Sequence, residues 1–124
     1  MVNIAVVIGT LTKPPETRRL ASGLSLANFD VRVQRADESA ESVPVTLFTG
    51  ERAVPEWQEG EELLVVGRVR RRFFRVGGST QSRTEVVADR VVPVAQASAA
   101  IEALELATGV IASVAVAGGE VVGL

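Results

Sequence analysis

The sequence predicts an all-β fold, a five-stranded Greek-key barrel with one short helix between its third and fourth strands. Three observations predict it. Short apolar runs have the composition and period of strands, and clusters of glycine, proline and polar residues separate them. One segment alone, Gly50 to Gly60, breaks the strand pattern before the last two strands.

Val2 to Leu11 is apolar and β-rich, the first strand. Thr12 to Gly23 contains Pro14, Pro15, Ser22 and Gly23 and reads as a loop made basic by Lys13, Arg18 and Arg19. Leu24 to Arg35 alternates, but the apolar parity changes between Leu26 and Phe29, which predicts a bulge near Ala27 and Asn28. Ala36 to Ser42 is a polar hairpin loop, and Val43 to Thr49 is the third strand, confined at Pro44 to an edge or a bulge. In the next segment Ala53, Val54 and Trp57 have helical spacing, Pro55 limits any helix to about one or two turns, and Trp57 is expected to plug one end of the barrel.

The fourth strand, Glu61 to Val76, is the most informative stretch. Leu63 to Val66 suit a buried strand, and Gly67 marks a bulge, a bend or a close backbone approach. Beyond it Arg68, Arg70, Arg72 and Phe74 share one face, with Val69, Arg71 and Phe73 on the other. Gly77 to Ser82 is a hairpin tip, and Arg83 to Val94 is the fifth strand. Together with the helix after the third strand, this is the layout of an OB-fold. Residues 1–94 are then one domain and 95–124 an extension. In the extension Ala97 to Thr108 has Ala97, Ala100, Ile101, Leu104 and Thr108 on one helical face, with Gly109 as a stop. Val110 to Leu124 is apolar, a strand or hairpin around Gly118 and Gly119 or a disordered tail, with burial at an oligomer interface the favoured reading.

Composition narrows the chemistry. The 124 residues contain neither Cys nor His, which removes thiol chemistry, the usual zinc sites and His-based triads. No catalytic residue, metal or cofactor is expected, because the carboxylates are scattered or adjacent, as at Glu61 and Glu62, with no nucleophile and base in view. No basic segment precedes the apolar run of Met1 to Gly9 as in a signal peptide, so a cytoplasmic address is expected. No apolar run reaches membrane length, so no membrane partner is expected. The net charge of −2 hides an asymmetry: 13 basic and 12 acidic residues precede Val94, while the last 30 residues hold three acids and no base. Local clustering of cations, not the sum, then bears on a polyanionic partner. Arginines that track phosphates beside a ring on which a base can stack are the parts of a sequence-tolerant single-strand binder.

The chain resembles the bacterial single-stranded DNA-binding protein family over residues 2–94. The similarity lies in VNIAVVIGTL, PPETRRLASGLSLANF, VTLFTGE, GEELLVVGRVRRRFF and RTEVVAD. In the second block Pro15, Glu16, Arg18, Gly23, Ala27, Asn28 and Phe29 match in type and spacing. The resemblance implies a homo-oligomer, usually a tetramer, that wraps single-stranded DNA without sequence preference or catalysis, in replication, recombination or repair. It puts Arg18, Arg70 and Arg72 at positions that approach phosphates, and Phe48 and Phe74 at positions that stack on bases. With Lys13, Arg19, Arg68 and Arg83 these complete the candidate DNA-binding set. The chain departs from the family at Ile4, Ser42 and Pro44, where a basic residue, a stacking tryptophan and another basic residue are usual. It ends AGGEVVGL, without an acidic tip finishing in Phe, so recruitment of replication proteins through that tip is not expected. The alternative reading is an OB-fold interaction or primosome-type accessory module with little DNA affinity.

Overall fold

Period-two alternation decides which side chains meet inside once strands close on themselves. The computed structural model describes residues 2–37 and 39–117. Its strands are β1 (Ala5–Leu11), β2 (Glu16–Arg19), β3 (Ser25–Gln34), β4 (Ala40–Gly50), β5 (Glu62–Val76) and β6 (Ser79–Pro93), followed by helix α1 (Ala97–Ala117). β1 pairs antiparallel with β5, β5 with β6 and β3 with β4, while β6 runs parallel to β4. Thr10 and Leu11 return to Arg32 and Val31 of β3, so five strands close into a ring. β2 sits outside it, on the free edge of β3. A mostly β chain closed in this way, with a C-terminal helix, is consistent with an OB-fold.

Leu11, Phe29, Val31, Val45, Leu63, Val65 and Val86 fill the interior. Each fully buried aliphatic side chain contributes about 1.5–3 kcal/mol. Gly67 is where β5 and β6 come closest: a Cβ there would lie 2.1 Å from the Val87 carbonyl oxygen. The extra residue of the bulge belongs to β6, since Val66 pairs with Arg90 and Gly67 with Ala88, leaving Asp89 unpaired. The outer face of β5 thus keeps one parity from Leu64 to Phe74.

Four local expectations need correction. The segment between β4 and β5 is a loop and holds no helix. Gly50 and Gly60 turn the chain at its ends with φ of +62° and +90°, and Pro55 pushes Val54 out of the helical region. Trp57 and Val54 nevertheless pack against the core, with Trp57 edge-on to Phe29 at 5.6 Å between ring centroids. The basic loop of residues 12–23 includes β2, because the open edge of β3 supplies hydrogen-bond partners that local composition does not reveal. No bulge occurs at Ala27 and Asn28. The β3–β4 register shifts instead between Ser25 and Leu26, and Leu26 is buried on the outer face of the barrel, in register with Phe48 of β4 and Arg18 of β2. The tip shrinks to Gly77 and Gly78, with φ of +56° and +85°, the signs that a two-residue hairpin turn of type I′ requires. β6 therefore starts at Ser79.

α1 also runs past its expected stop. Ala100 and Ala103 pack on Leu64 and Val92, and Ala107 is buried one turn on. The helix continues through Gly109 to Ala117 because the helix formers around that glycine outweigh its cost of about 1 kcal/mol. The strand or hairpin expected from residue 110 is thereby replaced as far as Ala117, and Gly118 and Gly119 lie outside the described residues. By length and composition Ala97–Ala115 is also sufficient for a bilayer span, which its interruption by Glu102, Glu105 and Gly109 conceals in a search for continuous apolar runs. Nothing lies within 4 Å of a Cβ built on Gly109. Gly109→Ala is expected to raise stability by about 0.5–1 kcal/mol, read as a higher thermal midpoint; a lower midpoint would mean that the helix does not persist through this turn.

Candidate nucleic-acid interface

The ladder between β5 and β6 sets the site. Counting outward from the Gly77–Gly78 turn, Phe74 faces Gln81, Arg72 faces Arg83 and Arg70 faces Glu85. Glu85 is only 3 % exposed, and a carboxylate so placed needs partners. Arg70 Nη2 donates to Glu85 Oε1 at 2.7 Å, and Arg72 Nε lies 3.8 Å from the same oxygen. From β4, Thr46 Oγ1 donates to Glu85 Oε2 at 2.8 Å and lies 2.9 Å from the Asn28 side-chain amide of β3. One buried carboxylate thus hydrogen-bonds the Arg70 guanidinium and attracts that of Arg72 by charge on the outer barrel face. Each also lies over a ring: Arg70 over Phe48 at 5.9 Å and Arg72 over Phe74 at 5.9 Å. The flat faces and the cations are therefore positioned together.

Burial pushes the Glu85 carboxyl up, but the Arg70 and Thr46 hydrogen bonds and the charges of Arg70 and Arg72 outweigh it, holding the group below its ordinary value of 4.5. A carboxyl lowered on folding stabilises the protein above its unfolded-state pKa, and that contribution is lost as pH falls through the folded-state value. Unfolding free energy is expected to decline below about pH 4.5. Glu85→Gln should cost about 1–3 kcal/mol at pH 7 and make the acid limb shallower. Denaturant melts across pH would show this; an unchanged acid limb would exclude Glu85 as its source.

A cleft of about 340 Å³ adjoins the pair. It is lined by Thr12, Lys13 and Pro14 from the β1–β2 connection, Glu16 and Arg18 of β2, Asn28 and Asp30 of β3, Arg72 and Arg83. Four of the sequence candidates, Lys13, Arg18, Arg72 and Arg83, therefore converge, with Arg83 paired to Asp30 at 3.6 Å. Phe48, Arg70 and Phe74 lie on the same outer face beside the cleft, and Arg68 follows in the same register, opposite Val87. Arg19 is set apart: period two turns it away from Arg18, into a separate groove with Arg52 and Leu24. Sequence reading missed Glu85, Asn28 and Thr46. Glu85 had a legible signal, because Arg70 and Glu85 are equidistant from the paired glycines.

The model of the single-strand binding protein family matches residues 2–94. A single-stranded DNA-binding protein of Oceanobacillus iheyensis is 31 % identical over 100 residues, covering 73 % of this chain and 62 % of that protein. The chain thus spans less than two thirds of that relative's length.

Proposed function

Because this chain belongs to the single-strand binding protein family, we propose that it binds single-stranded DNA without reading sequence and without catalysis. The observation that carries the proposal is the outer face on which Glu85 holds Arg70 and Arg72 above Phe48 and Phe74. Bases stack on the two rings, and the arginines, with Lys13, Arg18 and Arg83 around the cleft, take the phosphates. Arg68 extends the cationic row, and Arg19 lies off this path.

Two stacked bases supply about 2–6 kcal/mol, whereas a micromolar complex needs about 8. Useful affinity then depends on salt-sensitive phosphate contacts and on joining several sites. We therefore propose a homo-oligomer, a tetramer by analogy with the family, in which residues 1–94 bind DNA and the extension helps to join copies. The exposure of Ile101, Leu104, Leu106 and Ile111 on α1 supports that division, since apolar surface of this kind marks an interface. Replication, recombination or repair in the cytoplasm is the setting proposed.

The test is a fluorescence-anisotropy titration of labelled oligo-dT at several salt concentrations. Tight binding at low salt is expected, with the logarithmic salt slope reduced by about 1 in Arg72→Ala. An assembled protein that fails to bind at low salt would overturn the proposal and leave an interaction module.

A further inference from the structure

The β5–β6 hairpin carries cations on both of its faces. Between Arg68 and Thr84 there are six arginines and no acidic residue. Only one face belongs to the site described above. On the other, Arg71, Phe73 and Arg75 pair across the ladder with Thr84, Ser82 and Thr80. Phe73 is 65 % exposed, and the Arg71 guanidinium lies over its ring at 6.0 Å. This repeats the pairing of Arg72 with Phe74 one residue out of phase, on the opposite side of the hairpin.

A bare phenylalanine on a strand, among arginines and hydroxyls, joins neither core cluster among the described residues. Its environment is that of a base-stacking platform: an exposed ring, adjacent cations and, among the described residues, no carboxylate paired with Arg71 or Arg75. Building on the proposed single-strand binding, we infer that the nucleic acid crosses the edge of the hairpin and continues onto its second face. There Phe73 stacks a further base, and Arg71 and Arg75 contact the phosphates on either side. The hairpin is gripped from both sides, and the occluded length exceeds what one barrel face accommodates.

Oligonucleotide length separates this second site from the first. An oligo-dT of about 8 nucleotides fits within the span that one OB-fold occupies, whereas one of about 40 continues past it. Phe74→Ala is expected to weaken both. Phe73→Ala is expected to leave the short oligonucleotide unaffected and to weaken the long one by about 5- to 150-fold, the worth of one stacked base, with Phe73→Trp restoring wild-type affinity. Unchanged binding of the long oligonucleotide by Phe73→Ala would overturn the inference while the proposed function stands. So would equal weakening of both lengths, which puts Phe73 in the first site, or an altered sedimentation mass, which makes it a subunit contact. Failure of the wild type to bind either length would remove the underlying function as well.

Discussion

Gly67→Ala is expected to lower the free energy of unfolding by about 3 kcal/mol or more, at the upper end of what overpacking costs. The added methyl would sit 2.1 Å from the Val87 oxygen and 2.8 Å from the Ala88 Cα. Both obstacles are backbone, so no side-chain rotation relieves the clash. Paired residues on either side hold β5 and β6 in place, and the strands can separate only by breaking ladder hydrogen bonds. Against a total of about 5–15 kcal/mol for a typical domain, the loss leaves a marginal protein. Because Arg68, Arg70 and Arg72 follow directly, whatever folds should also bind DNA poorly. Urea unfolding provides the measurement, and a midpoint matching the wild type would show that the strands do not approach this closely.

The largest effect on binding is expected from removing both rings of the first site. Phe48→Ala with Phe74→Ala should weaken single-stranded DNA binding by about 30-fold at least, taking 1–3 kcal/mol for each stacked base. Phe48 is 47 % exposed, and neither ring belongs to the core cluster. Stability should therefore change much less than affinity. The cations remain, so residual binding should keep the wild-type salt slope; a shallower slope would mean that the rings mainly position the arginines. A double variant that binds like the wild type would exclude stacking on these residues.

The strands of the barrel were legible because each carries its own period. Gly67 was legible because a glycine that interrupts a strong strand pattern forgoes a side chain's packing, and a close backbone approach compensates for that loss. The arginine face followed from the same alternation. Features set by another segment were not legible. β2 has no strand pattern of its own and exists because β3 offers an edge. Trp57 reached its place against Phe29 without the helix its spacing suggested, since packing on the core requires only a loop of suitable length. α1 passed through Gly109 because contacts with Leu64 and Val92 anchor its first half. The partners of Glu85 come from two strands, β5 and β4, and only those across the hairpin could be counted from the turn. Thr46 required the parallel β4–β6 pairing, which is a property of the closed ring, and Asn28 reaches Thr46 across the β3–β4 ladder.

The pairing of β1 with β5 also has a temporal consequence. Asn3 bonds to the backbone of Val69 through both its amide nitrogen and its oxygen, across 66 residues of chain. Ala5 to Thr10 likewise pair with residues 62–67. A ribosome adding about 5–20 residues per second therefore makes β1 roughly 3–13 s before its partner exists. For that interval Val6, Val7 and Ile8 form an apolar strand with no place to dock, the kind of segment that a chaperone or a neighbouring nascent chain captures. The β3–β4 and β5–β6 hairpins close over short loops as they emerge. β1, synthesised well before its partner, is thus secured late, and the burden on cellular quality control falls on that strand.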